Sequence, residues 1–173
     1  MRTRLAWRLA AALFVPVLGC GYNGPTTPSK PVSLTLISSD VPKPVSKNKS
    51  TPTTSVLNVS GLDGSLTDVQ VSVNVSGATI CDLGLSVRHP DGTTIPLLVV
   101  GNVPTTFQCG PNFTSLNTTF PTRTPTPGAP DLKTLVGKPA GGTWTLIVTD
   151  ERDKPGNTHF TINAWMLLLT AQK

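Results

Sequence analysis

Side chains able to move protons are scarce in this chain. Its 173 residues include two histidines, His89 and His159, and Glu151 is the sole glutamate. A serine hydrolase needs a nucleophile, a histidine base and an acid that orients the base. His89 falls at a hairpin turn and His159 at the start of a strand, and both read as solvated residues. No G-x-S-x-G elbow occurs. Paired carboxylates would have to be assembled from aspartates that cluster at turns. The chain is therefore not expected to be an enzyme. Helical periodicity is missing as well. Beyond residue 19 no run of ten or more residues carries it, and seventeen prolines oppose it. Internal repeats are absent.

The N-terminus supplies what is plainly there. In "MRTRLAWRLAAALFVPVLGC", Arg2, Arg4 and Arg8 precede an apolar run from Leu9 to Leu18. Such a run rises only about 15 Å as a helix, half of a bilayer core of roughly 30 Å, and reads as an export signal. Its end, "VLGC", resembles the lipobox of bacterial lipoproteins. The resemblance implies cleavage after Gly19, lipidation of Cys20 and a stable anchor in the cell envelope. Gly21 lacks the Asp that retains some lipoproteins at the inner membrane, which leans the expectation towards the outer membrane. Removing residues 1–19 takes three arginines from the fourteen Lys and Arg, leaving eleven against nine Asp and Glu. A charge that close to balance does not indicate a nucleic-acid binder, and no nucleic-acid partner is expected.

With Cys20 set aside, Cys81 and Cys109 remain. An even pair in an exported chain suggests one disulfide, which would close a loop of about 29 residues and contribute roughly 3–4 kcal/mol. Metal ligation is the rival reading, but neither histidine lies near a cysteine in sequence.

Residues 20–39 read as a Pro/Ser/Thr-rich tether, with the sandwich domain expected over 40–173. The run "VSLTLIS" inside that tether is alternatively an edge strand of the domain. From Thr54 onwards, short β-type runs alternate with turns. Val69, Val71, Val73 and Val75 alternate with Gln70, Ser72, Asn74 and Ser76, a period of two that makes one apolar and one polar face. Leu83, Leu85 and Val87 repeat the pattern. "HPDGT" is a tight turn, and Pro96 marks an edge or a bulge. "SLNTTF", "TWTLIVTD" and "HFTINAWMLLLT" complete about eight strands. The expected fold is all-β, an antiparallel β-sandwich.

Several motifs in order resemble one family, the P domain (P/Homo B) that follows the catalytic domain of proprotein convertases such as kexin and furin. Asp82 and Leu83 match part of its Gly-Asp-Leu triplet, and Pro90, Gly92 and Thr93 match its turn. Gly142, Thr143, Trp144, Leu146, Val148 and Asp150 match its Gly-Thr-Trp-x-Leu-x-Val-x-Asp strand. The likeness runs over about residues 40–171. Departures are Gly77 for a usual His, Cys81 for the Gly of the triplet, His89 for a Ser, and "PTRT" where acids often follow. The resemblance implies a jelly-roll-like, galactose-binding-like sandwich that stabilises or regulates a subtilisin-like serine endopeptidase without cleaving anything itself.

Three classes of site follow. Asp82, Asp150 and Asp153, with Glu151 nearby, are hard oxygen ligands that could gather a calcium ion at one end of the sandwich, a use the resemblance also implies for some members. The alternative is that Asp82 and Asp150 are strand-end residues bonding backbone N–H groups. Phe107 and Phe113 flank Cys109 and form either a pinned partner-contact loop or a satellite core. Trp144 and Trp165 lie in alternating strands and are expected in the core rather than on a sugar-binding face. The expected function is a membrane-anchored, non-catalytic binding or accessory module for an exported serine protease or cell-surface protein. The alternatives are a detached regulatory part of a serine endopeptidase system, or a calcium-dependent adhesion or glycan-binding module.

Overall fold

A computed structural model describes residues 29–77, 79–100, 114–120, 131–151 and 160–173. They form nine strands: β1 (Val32–Ile37), β2 (Lys43–Pro44), β3 (Thr53–Val59), β4 (Ser65–Ser76), β5 (Leu83–Arg88), β6 (Thr94–Leu98), β7 (Ser115–Phe120), β8 (Gly142–Asp150) and β9 (Thr161–Gln172). One sheet has the order β1-β9-β4-β7, with β2 also on β9, and the other β3-β8-β5-β6. All pairings are antiparallel. The expected all-β sandwich is the observed fold. Among the described residues, helix is confined to two 3₁₀ turns, Ile80–Asp82 and Leu132–Leu135.

The period of two explains the layers. Val69, Val71, Val73 and Val75 of β4 are buried, as are Trp165, Leu167 and Leu169 of β9. Facing them across the core are Trp144, Leu146 and Val148 of β8 and Leu83, Leu85 and Val87 of β5. Both tryptophans lie in the core as expected. Leu132 and Leu135 are buried too, and their 3₁₀ turn packs on β4. Pro96 sits on the edge strand β6, beside a register shift between Leu85 and Ser86 of β5, so it satisfies both expectations made for it. Edge positions and bulges tolerate a residue with no N–H to give to the ladder.

Within "VSLTLIS", Val32–Ile37 forms an edge strand of its sheet. β1 pairs along its length with β9, from Val32 opposite Ala171 to Ile37 opposite Met166. The sandwich thus takes in residues that a tether ending at residue 39 would leave out. Prolines on both sides gave this stretch the composition of a linker, while its pairing partner lies at the far end of the chain.

A polar relay joins the two sheets. The Trp165 Nε1–H donates to Ser55 Oγ at 2.6 Å, and the Ser55 hydroxyl donates to the Asp40 carboxylate. The Lys43 ammonium lies 2.9 Å from the other oxygen of that carboxylate. Burial works to raise the Asp40 pKa, but hydrogen bonds from Ser55, Lys43 and the Val56 N–H, with the Lys43 charge, hold it below the usual carboxylate value.

Candidate functional site

The two ends of the sandwich are built differently. At one end lie Ser29, the C-terminal residues, the turn between β5 and β6, and the loop before β8. Ser29 O accepts from Gln172 Nε2 at 2.7 Å, which ties the entry of the chain to its last strand. The β5–β6 turn closes on Gly92, whose φ of 90° suits glycine. Gly142 at the start of β8 is also required, because a Cβ there would stand 2.7 Å from Pro90 Cβ.

His89 sits inside this end rather than in solvent. Its exposure is 2%, and its ring meets Trp144 edge-on with centroids 4.8 Å apart. The Nε2–H donates to Pro139 O at 2.9 Å. The Nδ1 accepts the Asp91 N–H at 3.1 Å and lies 2.9 Å from Asp91 Oδ1. Solvation was the wrong expectation for His89. The turn is folded back over Trp144, so the imidazole is a clasp between the turn and the loop before β8. Asp91 continues the clasp outwards to Lys138, whose ammonium bonds its carboxylate and donates to Thr93 Oγ1 at 2.7 Å. The Lys138 bond foremost, then the Thr93 N–H and hydroxyl and the His89 ring, hold the Asp91 pKa far below the usual carboxylate value. No Ser or Thr hydroxyl among the described residues hydrogen-bonds to His89, so it heads no nucleophile–base pair there.

The opposite end gathers most of the sequence-predicted site residues that the structure describes. Cys81 and Asp82 end the 3₁₀ turn, and β5 starts at once with Leu83 opposite Asp150. The Glu151 N–H donates to Asp82 O at 2.8 Å. Asp82, Asp150 and Glu151 are thereby neighbours on the backbone, although alternation sends their side chains different ways. Asp150 continues the inward row of Trp144, Leu146 and Val148 and is 3% exposed. Glu151 lines the outer face with Thr149. Among the described residues, no three His, Cys, Asp or Glu side chains group as a metal site. Cys81 is disulfide-bonded. Cys109 lies outside the described residues, as do Cys20, Phe107, Phe113, Asp153 and His159.

Beside this cluster the outer face of the β3-β8-β5-β6 sheet carries a groove of about 370 Å³. Gly84, Ser86, Ile147, Thr149 and Glu151 line it, with Leu98, Val99 and Val100 along one side. Thr149 occupies the space above Gly84, where a Cβ would stand 2.2 Å from its hydroxyl oxygen. The lining mixes an aliphatic wall with one carboxylate and two hydroxyls, which suits binding rather than chemistry. Sequence reasoning passed over this groove. Its one signal is a glycine in the middle of an alternating strand, where the outer face should carry a side chain.

A model for one family, the proprotein convertase P-domain, matches residues 66–169. No curated protein matches the chain. Among solved structures, the complex of the Aeromonas sobria serine protease with its chaperone superposes with a TM-score of 0.56 at 17% identity, over 83% of this chain and 27% of that one. The serine protease of Aeromonas sobria in another structure gives a TM-score of 0.54 at 18% identity, over 87% of this chain and 28% of that one. The chain thus spans little more than a quarter of the length of the chains it resembles.

Proposed function

This chain belongs to the proprotein convertase P-domain family, and on that premise we propose that it is a non-catalytic accessory module that stabilises or regulates an exported subtilisin-like serine endopeptidase. One observation carries the reading. The sandwich, over most of its length, corresponds to only 27% of a serine protease chain. A module of that kind works on a protease through contact. The signal-like N-terminus supports a lipid anchor on Cys20 in the bacterial cell envelope, which would keep the module where exported enzymes pass.

The end bearing Cys81 is the proposed contact surface. A disulfide from Cys81 to Cys109 would hold Phe107 and Phe113 as rigid aromatic contacts, the kind of anchor that dominates binding energy. Glu151 and the groove beside it would add polar specificity.

Two measurements test this. Full-length chain, affinity-purified from the membranes of its own organism, is expected to bring down a subtilisin-like serine endopeptidase. Recovery of a glycan or an unrelated adhesin in its place would contradict the proteolytic role. Cys20→Ala is expected to release the chain from membranes, and full retention of that variant would overturn the lipid anchor.

A further inference from the structure

Most acidic side chains of the sandwich already have a partner. Asp40, Asp63 and Asp91 each pair with a lysine, and Asp131 accepts the Lys133 N–H. Asp150 is buried and has a partner too. Glu151 differs: among the described residues its carboxylate meets no cation and no hydrogen-bond donor. Asp82 shares that lack but does not line the groove on the outer face.

The Glu151 carboxylate is nevertheless drawn in over the sheet. Its Oε1 lies 3.5 Å from the point where a Cβ of Gly84, on the neighbouring strand, would stand. Glu151 is half-buried there. The fold thus takes water from one side of this carboxylate and supplies no countercharge, an arrangement that favours an incoming cation.

The rest of the lining fits the same ligand. Ser86 on β5 and Thr149 on β8 offer hydroxyls that accept hydrogen bonds. Ile147, Val99 and Val100 make an apolar wall. Arginine and lysine side chains have the matching division, an apolar stem and a charged head that donates and cannot accept. Glu151 is the only charged residue in the lining, so nothing there repels such a head. A volume of about 370 Å³ is near the lower end of the roughly 300–1,000 Å³ of ligand pockets, which suits one side chain with its backbone. A smaller groove at the opposite end, about 170 Å³, lacks this character. Its aspartate, Asp63, is already 3.0 Å from Lys173 Nζ, and Lys30 stands beside it.

Resting on the accessory-module reading above, we propose that the groove receives one arginine or lysine side chain of the partner endopeptidase. The cation sits on Glu151, and the stem lies along Ile147 and Val99.

The test uses the full chain in detergent, with N-acetyl-arginine methylamide and its uncharged citrulline counterpart as probes. The arginine probe is expected to shift the amide resonances of Gly84, Ser86 and Thr149, and to bind at least about tenfold more tightly than the citrulline probe. Glu151→Gln is expected to abolish that preference and leave the melting temperature unchanged. Equal affinity for the two probes, binding of neither, or a preference that survives Glu151→Gln would overturn the proposal. The chain with a photo-reactive residue at Ile147 is then irradiated in intact cells. A cross-link beside an arginine or lysine of a subtilisin-like serine endopeptidase, weakened by Glu151→Gln, supports the groove assignment and the accessory role together. A cross-link beside an arginine or lysine of a different protein supports the groove assignment and contradicts the endopeptidase. A linked segment without a cation overturns the groove assignment, whichever protein it belongs to.

Discussion

The two ends of this sandwich use similar residue types for opposite purposes. At one end a histidine, an aspartate and a lysine are satisfied by one another and by the backbone, and the imidazole is sealed against Trp144. At the other, Glu151 stands on the wall of an open groove, beside a glycine whose missing side chain makes room for Thr149. Polar residues close one end and leave the other available. Charge content alone therefore does not locate a binding surface. Among the described residues, what separates the ends is that the His89, Asp91 and Lys138 side chains are spent on one another and on the backbone, whereas Glu151 lines a groove.

The comparison can be broken most severely at the closed end. Trp144→Ala removes the ring that His89 packs on and orphans the Ala140 carbonyl, which accepts the indole N–H at 3.0 Å. A loss of about 3–5 kcal/mol is expected in urea denaturation. At the open end, reduction of the disulfide at Cys81 is expected to lose roughly 3–4 kcal/mol if Cys109 is its partner. Mass spectrometry of the linked peptides identifies that partner, and a different one would remove the support for a pinned Phe107–Phe113 loop. His89→Ala is expected to cost about 2–3 kcal/mol, since it leaves the Pro139 carbonyl and the Asp91 N–H without partners. If it costs nothing, the clasp is not what closes this end.

The smallest effect is one of pH. Asp91 titrates below the usual carboxylate value in the folded chain. Its contribution to stability is therefore complete above about pH 4, the unfolded value, and declines as acid is added below it. Wild type should exceed Asp91→Asn in melting temperature at pH 7, and the gap should narrow below pH 4. A gap independent of pH would show that the Lys138 contact acts by packing and not by charge.

Strands were legible in the sequence because their information is local. Val69 to Val75 alternate within one strand, and "TWTLIVTD" shows its inward row without knowledge of any partner. β1 was readable only as one of two alternatives, because its pairing to β9 spans nearly the whole chain. His89 was misread for a similar reason. A turn residue is ordinarily wet, and nothing near it in sequence shows that Trp144 and Pro139, some fifty residues on, fold over it. The Asp40–Ser55–Trp165 relay also joins distant segments. The groove was hidden because its lining comes from β5, β8 and the end of β6, segments that only strand pairing brings together.

The central claim is that this P-domain chain works through its Cys81 end on a protease. It is tested most directly by placing a photo-reactive residue at Glu151 and, separately, at Asp91 of the opposite end, and irradiating intact cells. The account predicts a cross-linked subtilisin-like serine endopeptidase from position 151 and none from position 91. Cross-links to that enzyme from position 91 alone, or to no protease from either position, would contradict it.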